Sequence, residues 1–311
     1  MKKLSNGAGC GGLGGAIFHS AQFALAGLAL VGTLNAGQLN HFNIIVADSS
    51  ATIYSVNPRT GERALITQQG NLERPYDLAA DHDGNIVVSD TGTLRIVQVN
   101  PSTHAQRIIA EGPALGVPFG VGVDQRNQIY VANGHAVVRV DPATGLVQTV
   151  AEGGLLQVPL DVAAAADGSL YVADALTGVV RIDPATGQQT LAAQGGSLHN
   201  AIGIALDGMR TAYIVDAGAR CIVAVDLQDG SQRLVSNAGL LATPVGIALA
   251  PAGTILVSDP DAFDLDGGIL TIGQDGTQTP IARGSGELVN ARGIAILPAS
   301  EEGPQGLKFN R

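Results

Sequence analysis

From residue 43 onward the chain runs in short apolar stretches of four to six residues, each closed by Gly, Asp, Asn or Pro. One stretch returns six times: Asn43-Ile-Ile-Val-Ala-Asp48, Asn85-Ile-Val-Val-Ser-Asp90, Gln128-Ile-Tyr-Val-Ala-Asn133, Ser169-Leu-Tyr-Val-Ala-Asp174, Thr211-Ala-Tyr-Ile-Val-Asp216 and Thr254-Ile-Leu-Val-Ser-Asp259. Its last residue recurs at spacings of 42, 43, 41, 42 and 43. Three further runs accompany it in constant order. One of them opens with Pro or Ala and is rich in small residues, as in Pro75-Tyr-Asp-Leu-Ala-Ala80. Branched and aromatic residues in runs this short, separated by turn formers, predict strands and leave no room for helices.

Four strands per repeat make one blade, and six copies predict an all-β, six-bladed β-propeller over residues 43–298. The small-residue run is the innermost strand, A, because six such strands crowd one axis. The repeated Ile/Val-rich run is strand B, whose branched side chains fill the space between blades. Strands C and D lie outside. The chain enters on a strand B at Asn43 and ends on a strand A at Ile296. The last strand is therefore expected to complete the first blade, pair with it and leave no open edge.

Residues 1–40 and 299–311 fall outside the repeat, the latter as a polar tail. Lys2 and Lys3, the apolar segment Phe23 to Val31 and the small-residue stretch ending at Ala36 have the order of a cleaved signal peptide, with a periplasmic or extracellular destination. A membrane anchor and a leader without a targeting role stay open as alternatives, and membrane contact is expected only through this segment.

With 45% hydrophobic residues the chain buries a large core, and 42 glycines suit many tight turns. Twenty-seven acidic against 17 basic residues give a net charge of −10, which argues against a nucleic-acid partner. Two cysteines, Cys10 and Cys221, provide neither a disulfide framework nor a closed thiolate zinc site. A monomer is expected.

Candidate chemistry comes from aligning the repeats. One strand-A position is Gly120, Gly203, Gly246 and Gly293 in four blades but Asp77 and Asp161 in the other two. A carboxylate among crowded backbones is costly unless it is hydrated, paired or bound to a cation. The D–A and B–C connections share one face, around the mouth of the central channel, and bring Arg74, Arg292, His135 and His199 to it. Two readings stay open: an Asp77–Arg74 ion pair with Asp161 capping a turn, or a polar site of Arg74, Asp77, Asp161, His199 and Arg292. Tyr76, Phe119, Leu160, Ile202 and Val245 would line the second as an apolar cup for a small molecule, protein or peptide. The six recurring Asp/Asn residues read as turn-capping side chains rather than a ring of ligands. In the last blade the B–C loop is longer by about four residues and carries Asp261, Asp264 and Asp266 beside Asp259. It is either a solvated acidic loop or a site for a divalent cation such as calcium. His82 and His104 fall in turns of the opposite face.

These phrases resemble those of the NHL-repeat propellers, and more broadly the superfamily that includes SMP-30/gluconolactonase-like and streptogramin-lyase-like proteins. The resemblance covers residues 43–296 and implies the propeller fold, with functions that range from lactonase and lyase to binding scaffold. SMP-30-like lactonases place asparagine metal ligands just before the strand-A glycine. Here those positions are Tyr76, Phe119, Leu160, Ile202, Val245 and Arg292. Streptogramin lyases use a histidine with a metal-binding acid, a role the resemblance offers to His199. No Gly-x-Ser-x-Gly elbow, P-loop or paired CxxC is present. The expected function is an exported propeller that binds a ligand or partner at the channel mouth. The alternative is a metal-dependent lyase or hydrolase with His199 as general acid/base.

Overall fold

The structure is a computed structural model that describes residues 42–298 apart from Met209. The leader at 1–40 and the tail at 299–311 lie outside the described residues. Six four-stranded antiparallel sheets follow one another along the chain, each running from the axis outward. The inner strands are Pro75–Ala80, Val121–Val123, Pro159–Ala164, Ala201–Leu206, Gly246–Leu249 and, in the first blade, Ala291–Pro298. The repeated Ile/Val-rich runs are the second strands, and Ile86–Asp90, Leu170–Asp174 and Ile255–Asp259 are buried at every position. They read as continuous apolar runs, not alternating ones, because neighbouring blades cover both faces.

Ring closure is as the repeat order requires. The last strand pairs with Phe42–Asp48 in the register Ile44↔Ile296, Ile45↔Ala295 and Val46↔Ile294. The core follows the seams between blades. One cluster joins Ile44, Val46 and Val56 of the first blade to Leu256, Ile269 and Ala282 of the sixth. Another joins Tyr171, Ala173 and Val179 of the fourth to Ile204, Ile214 and Val223 of the fifth. Each fully buried Ile or Leu contributes about 1.5–3 kcal/mol, so each blade is held mainly by its neighbours.

Helical structure departs from the sequence expectation at two points on the functional face, a 3-10 turn at Pro113–Leu115 in the D–A loop before the third blade and a turn in the last blade. The four extra residues of the last B–C loop are housed as a helical turn, Ala262–Leu265, in which Phe263 and Asp264 take left-handed φ values of 57° and 62°. A strand-turn pattern carries no signal for such a turn, since four residues span barely one helical turn and cannot show a helical period.

Candidate binding face at the channel mouth

The loops of the mouth face are tied down by the recurring acids. Asp90 Oδ2 accepts the backbone N–H groups of Glu73 and Arg74 at 2.9 Å, while its Oδ1 accepts those of Gly92 and Thr93. Asp174 does the same for Gln157, Val158, Leu176 and Thr177. Each carboxylate thus joins a D–A loop to the B–C turn beside it. All five aspartates of the series are buried. In the third blade Asn133 stands instead, and its amide donates to Leu115 O at 3.2 Å. These residues are scaffold, in agreement with the turn-capping reading.

A second device was invisible in the sequence. The ladder between strands A and B slips between Pro75 and Asp77, between Pro159 and Asp161, between Ala201 and Gly203, and at the matching place in the closing strand. The extra residues are Tyr76, Leu160, Ile202 and, in the closing strand, Arg292. A bulge turns its extra residue away from the ladder, and here it aims each one at the mouth. Phe119 and Val245 hold the same place just before the other two inner strands. Tyr76 and Phe119 meet edge-to-face, with centroids 5.2 Å apart and planes at 75°.

Beneath this ring lie the two carboxyl groups. Asp77 Oδ2 accepts the N–H of Val121 on the next inner strand at 2.9 Å, and Asp161 Oδ2 accepts that of Ile204 at 2.8 Å. Asp161 Oδ1 also accepts the N–H of Val162. The glycines at the same level make the space: a Cβ on Gly120 would come within 2.4 Å of Asp161 Cα and Oδ1, and one on Gly293 within 2.4 Å of Asp77 Cα. The two carboxyls reach hydrogen-bonding range of each other across the third blade. Burial raises Asp77 to about 6, against the lowering by its backbone donors, and burial with the neighbouring Asp77 raises Asp161 well above the usual range. Both keep some accessible surface, but it opens on an axial cavity of only about 10 Å³. Their environment is a narrow channel, not bulk water, which favours the form of the pair that keeps a proton between the two carboxyls. Burial also raises the Tyr76 hydroxyl to about 12, opposed by the charge of Arg292.

The Asp77–Arg74 ion pair is not formed. The four ion pairs among the described residues are Arg63–Glu287, Arg95–Glu111, Arg181–Asp167 and Arg210–Asp226. Arg74 is exposed and Arg292 half-buried. Asp161 caps no turn of its own; it bridges to the next blade. The apolar cup is not a cavity either, because Tyr76, Leu160, Ile202 and Val245 close over the axis. His199 is exposed at the edge of the face, where it lines an open groove of about 380 Å³ with Leu176, Thr177, Gln194 and Leu198. His135 is exposed on the B–C turn of the third blade and does not line that groove.

The acidic loop does not gather its carboxylates. Asp264 is exposed, Asp266 accepts the N–H of Ser285 at 2.9 Å, and the Asp261 N–H donates to Asp259. Among the described residues no three His, Cys, Asp or Glu side chains are placed to hold a metal ion. Cys221 is a free, buried thiol that burial pushes up to about 11, hence an inert core residue.

Residues 83–271 match the family model described as SMP-30/Gluconolactonase/LRE-like region. No curated protein matches the chain in sequence. Among solved structures, a chain from a crystal structure of a nidogen/laminin complex is similar in fold, with a TM-score of 0.70 at 14% identity. The similarity covers 82% of this chain and 98% of that one.

Proposed function

The chain belongs to the SMP-30/gluconolactonase/LRE-like family, and from that premise we propose that it is an exported docking module whose channel-mouth face binds a protein partner. One observation carries the reading. Nine large hydrophobic side chains stand exposed among the described residues, and Leu94, Val117, Leu176, Leu265 and Val289 all lie on D–A or B–C loops of this face. Apolar side chains exposed on the loops of one rigid face, each from a different blade, give a partner several anchoring points around the ring. The other four sit on outer strands or on a C–D turn.

The axial cavity favours a protein over a small molecule. An axial space of about 10 Å³ holds about one water, whereas small-molecule sites take about 300–1,000 Å³. The groove beside His199 is open and suits a side chain of a partner. A propeller of the same fold stands in a nidogen/laminin complex, so the architecture is compatible with protein partners. The metal-dependent lyase or hydrolase reading draws no support from the placement of His199, around which no cluster of metal-binding side chains is found among the described residues.

A displayed random-peptide library panned on the purified protein tests the docking role. Enrichment is expected on the native protein and lost on Leu176→Glu/Leu265→Glu, both surface positions that leave the core intact. Enrichment indifferent to that double substitution would sink the proposal. Export rests on the leader-like order of residues 1–40 and predicts a mature chain beginning near Gly37; N-terminal sequencing that finds the leader retained would remove it.

A further inference from the structure

We infer that the partner presents an acidic segment, whose carboxylates are held by Arg74 and Arg292 while its apolar side chains rest on the surrounding aliphatic loops. The inference rests on the docking role of this face and adds the chemistry of what is docked. Cations are scarce in a chain with 17 Lys and Arg against 27 acids, and several described arginines are already engaged. Four are in the ion pairs given above, and Arg283 lies over the Phe263 ring at 4.9 Å. Arg74 and Arg292 make no side-chain hydrogen bond or ion pair among the described residues.

Their placement is specific. Arg292 occupies the bulge position that the other five blades give to Tyr, Phe, Leu, Ile and Val, so one point of an apolar ring is a guanidinium. Arg74 precedes the adjacent inner strand, and the two strands touch where Gly293 meets Asp77. Neither arginine forms an ion pair with the carboxyls below, because Asp77 and Asp161 are turned to the backbone N–H groups of Val121 and Ile204. Glu73, next to Arg74 in sequence, is exposed and gives it no hydrogen bond or ion pair. Tyr76, close enough for Arg292 to influence its hydroxyl, stays protonated and adds a donor. Two guanidinium forks without a carboxylate partner, one in the ring of the mouth and one just before the adjacent inner strand, are donors only, and a planar carboxylate is the group they fit. The exposed Leu94 and Val289 on the loops of the same two blades, and an axial cavity of only about 10 Å³, assign that carboxylate to a protein segment, not to a free small acid.

The test uses the library of the preceding section and the most enriched peptide, labelled and titrated by fluorescence anisotropy. Enriched sequences are expected to combine Asp or Glu with Leu, Ile or Phe. Arg74→Ala/Arg292→Ala should weaken binding at least tenfold and flatten its salt dependence, Arg74→Lys/Arg292→Lys should restore part of both, and the melting temperature should stay unchanged because neither side chain supports the fold. Enrichment of neutral or basic peptides, or affinity indifferent to the Arg substitutions yet lost on Leu176→Glu/Leu265→Glu, would overturn the acidic segment and leave docking standing. No enrichment at all would overturn docking, and this inference with it. Full displacement of the peptide by free glutamate would reassign the arginines to a small acid and overturn the inference as well.

Discussion

Replacing Asp77 with asparagine separates the charge of the axial carboxyl pair from its hydrogen bonding. The introduced side-chain amide keeps an oxygen to accept the Val121 N–H and gains an N–H that donates to Asp161, so it imitates the protonated acid. In the native protein Asp77 is raised from 3.8 to about 6, chiefly by burial. The folded chain therefore binds the proton more tightly than the unfolded chain. Stability falls as pH rises from about 4 through about 6 and stays lowered above that window. A shift of about two pKa units corresponds to about 3 kcal/mol at neutral pH. Asp161, also raised, acts in the same direction and extends the loss to higher pH. Turn aspartates with lowered values, such as Asp141 and Asp183, act in the opposite sense, but only as pH falls below the usual carboxylate value. Urea denaturation followed by circular dichroism from pH 4 to 8 reads the difference. The Asp77→Asn variant should exceed the native protein by about 1–3 kcal/mol at pH 8, with the gap closing toward pH 4. A variant less stable at pH 8, or one that keeps the native pH slope, would refute the shared-proton reading. Asp77→Ala should instead destabilise at every pH, because it strands the Val121 N–H.

The clamp residues and the closing strand give two further tests. Asp174→Ala removes the acceptor of four backbone N–H groups and should cost about 3 kcal/mol or more, while Asp174→Asn keeps part of that capacity and should cost less, as thermal melts would record. A chain ending at Glu287 lacks Ala291–Pro298, exposing the Phe42–Asp48 edge and the seam between the first and sixth blades, and should aggregate or lose cooperative unfolding. A soluble, cooperative truncation would contradict the closed ring.

The sequence by itself determined the number of blades, the strands within each, and the way the ring closes. These follow from a period of about 42 residues and from the phase at which the repeat starts and stops, and both are local properties of the chain. It also marked Asp48, Asp90, Asn133, Asp174, Asp216 and Asp259 as scaffold, because a residue present in every blade serves what every blade needs. Asp77 and Asp161 stood out for the opposite reason, as departures from the repeat. Tertiary structure alone decided what they do. They lie 84 residues apart, and only ring curvature brings them together over Gly120, each bonded to the next blade and not to Arg74. The bulges that aim Tyr76, Leu160, Ile202 and Arg292 at the mouth leave no mark on hydrophobic periodicity, since one slipped residue does not change the apolar run around it. The placement of Leu94, Val117, Leu176, Leu265 and Val289 on one face was partly legible, because the repeat assigns each to a D–A or B–C loop. Their exposure was not: whether a loop leucine turns outward, as Leu176 does, or inward, as Leu198 does, depends on the packing of the neighbouring blade, which no local pattern encodes.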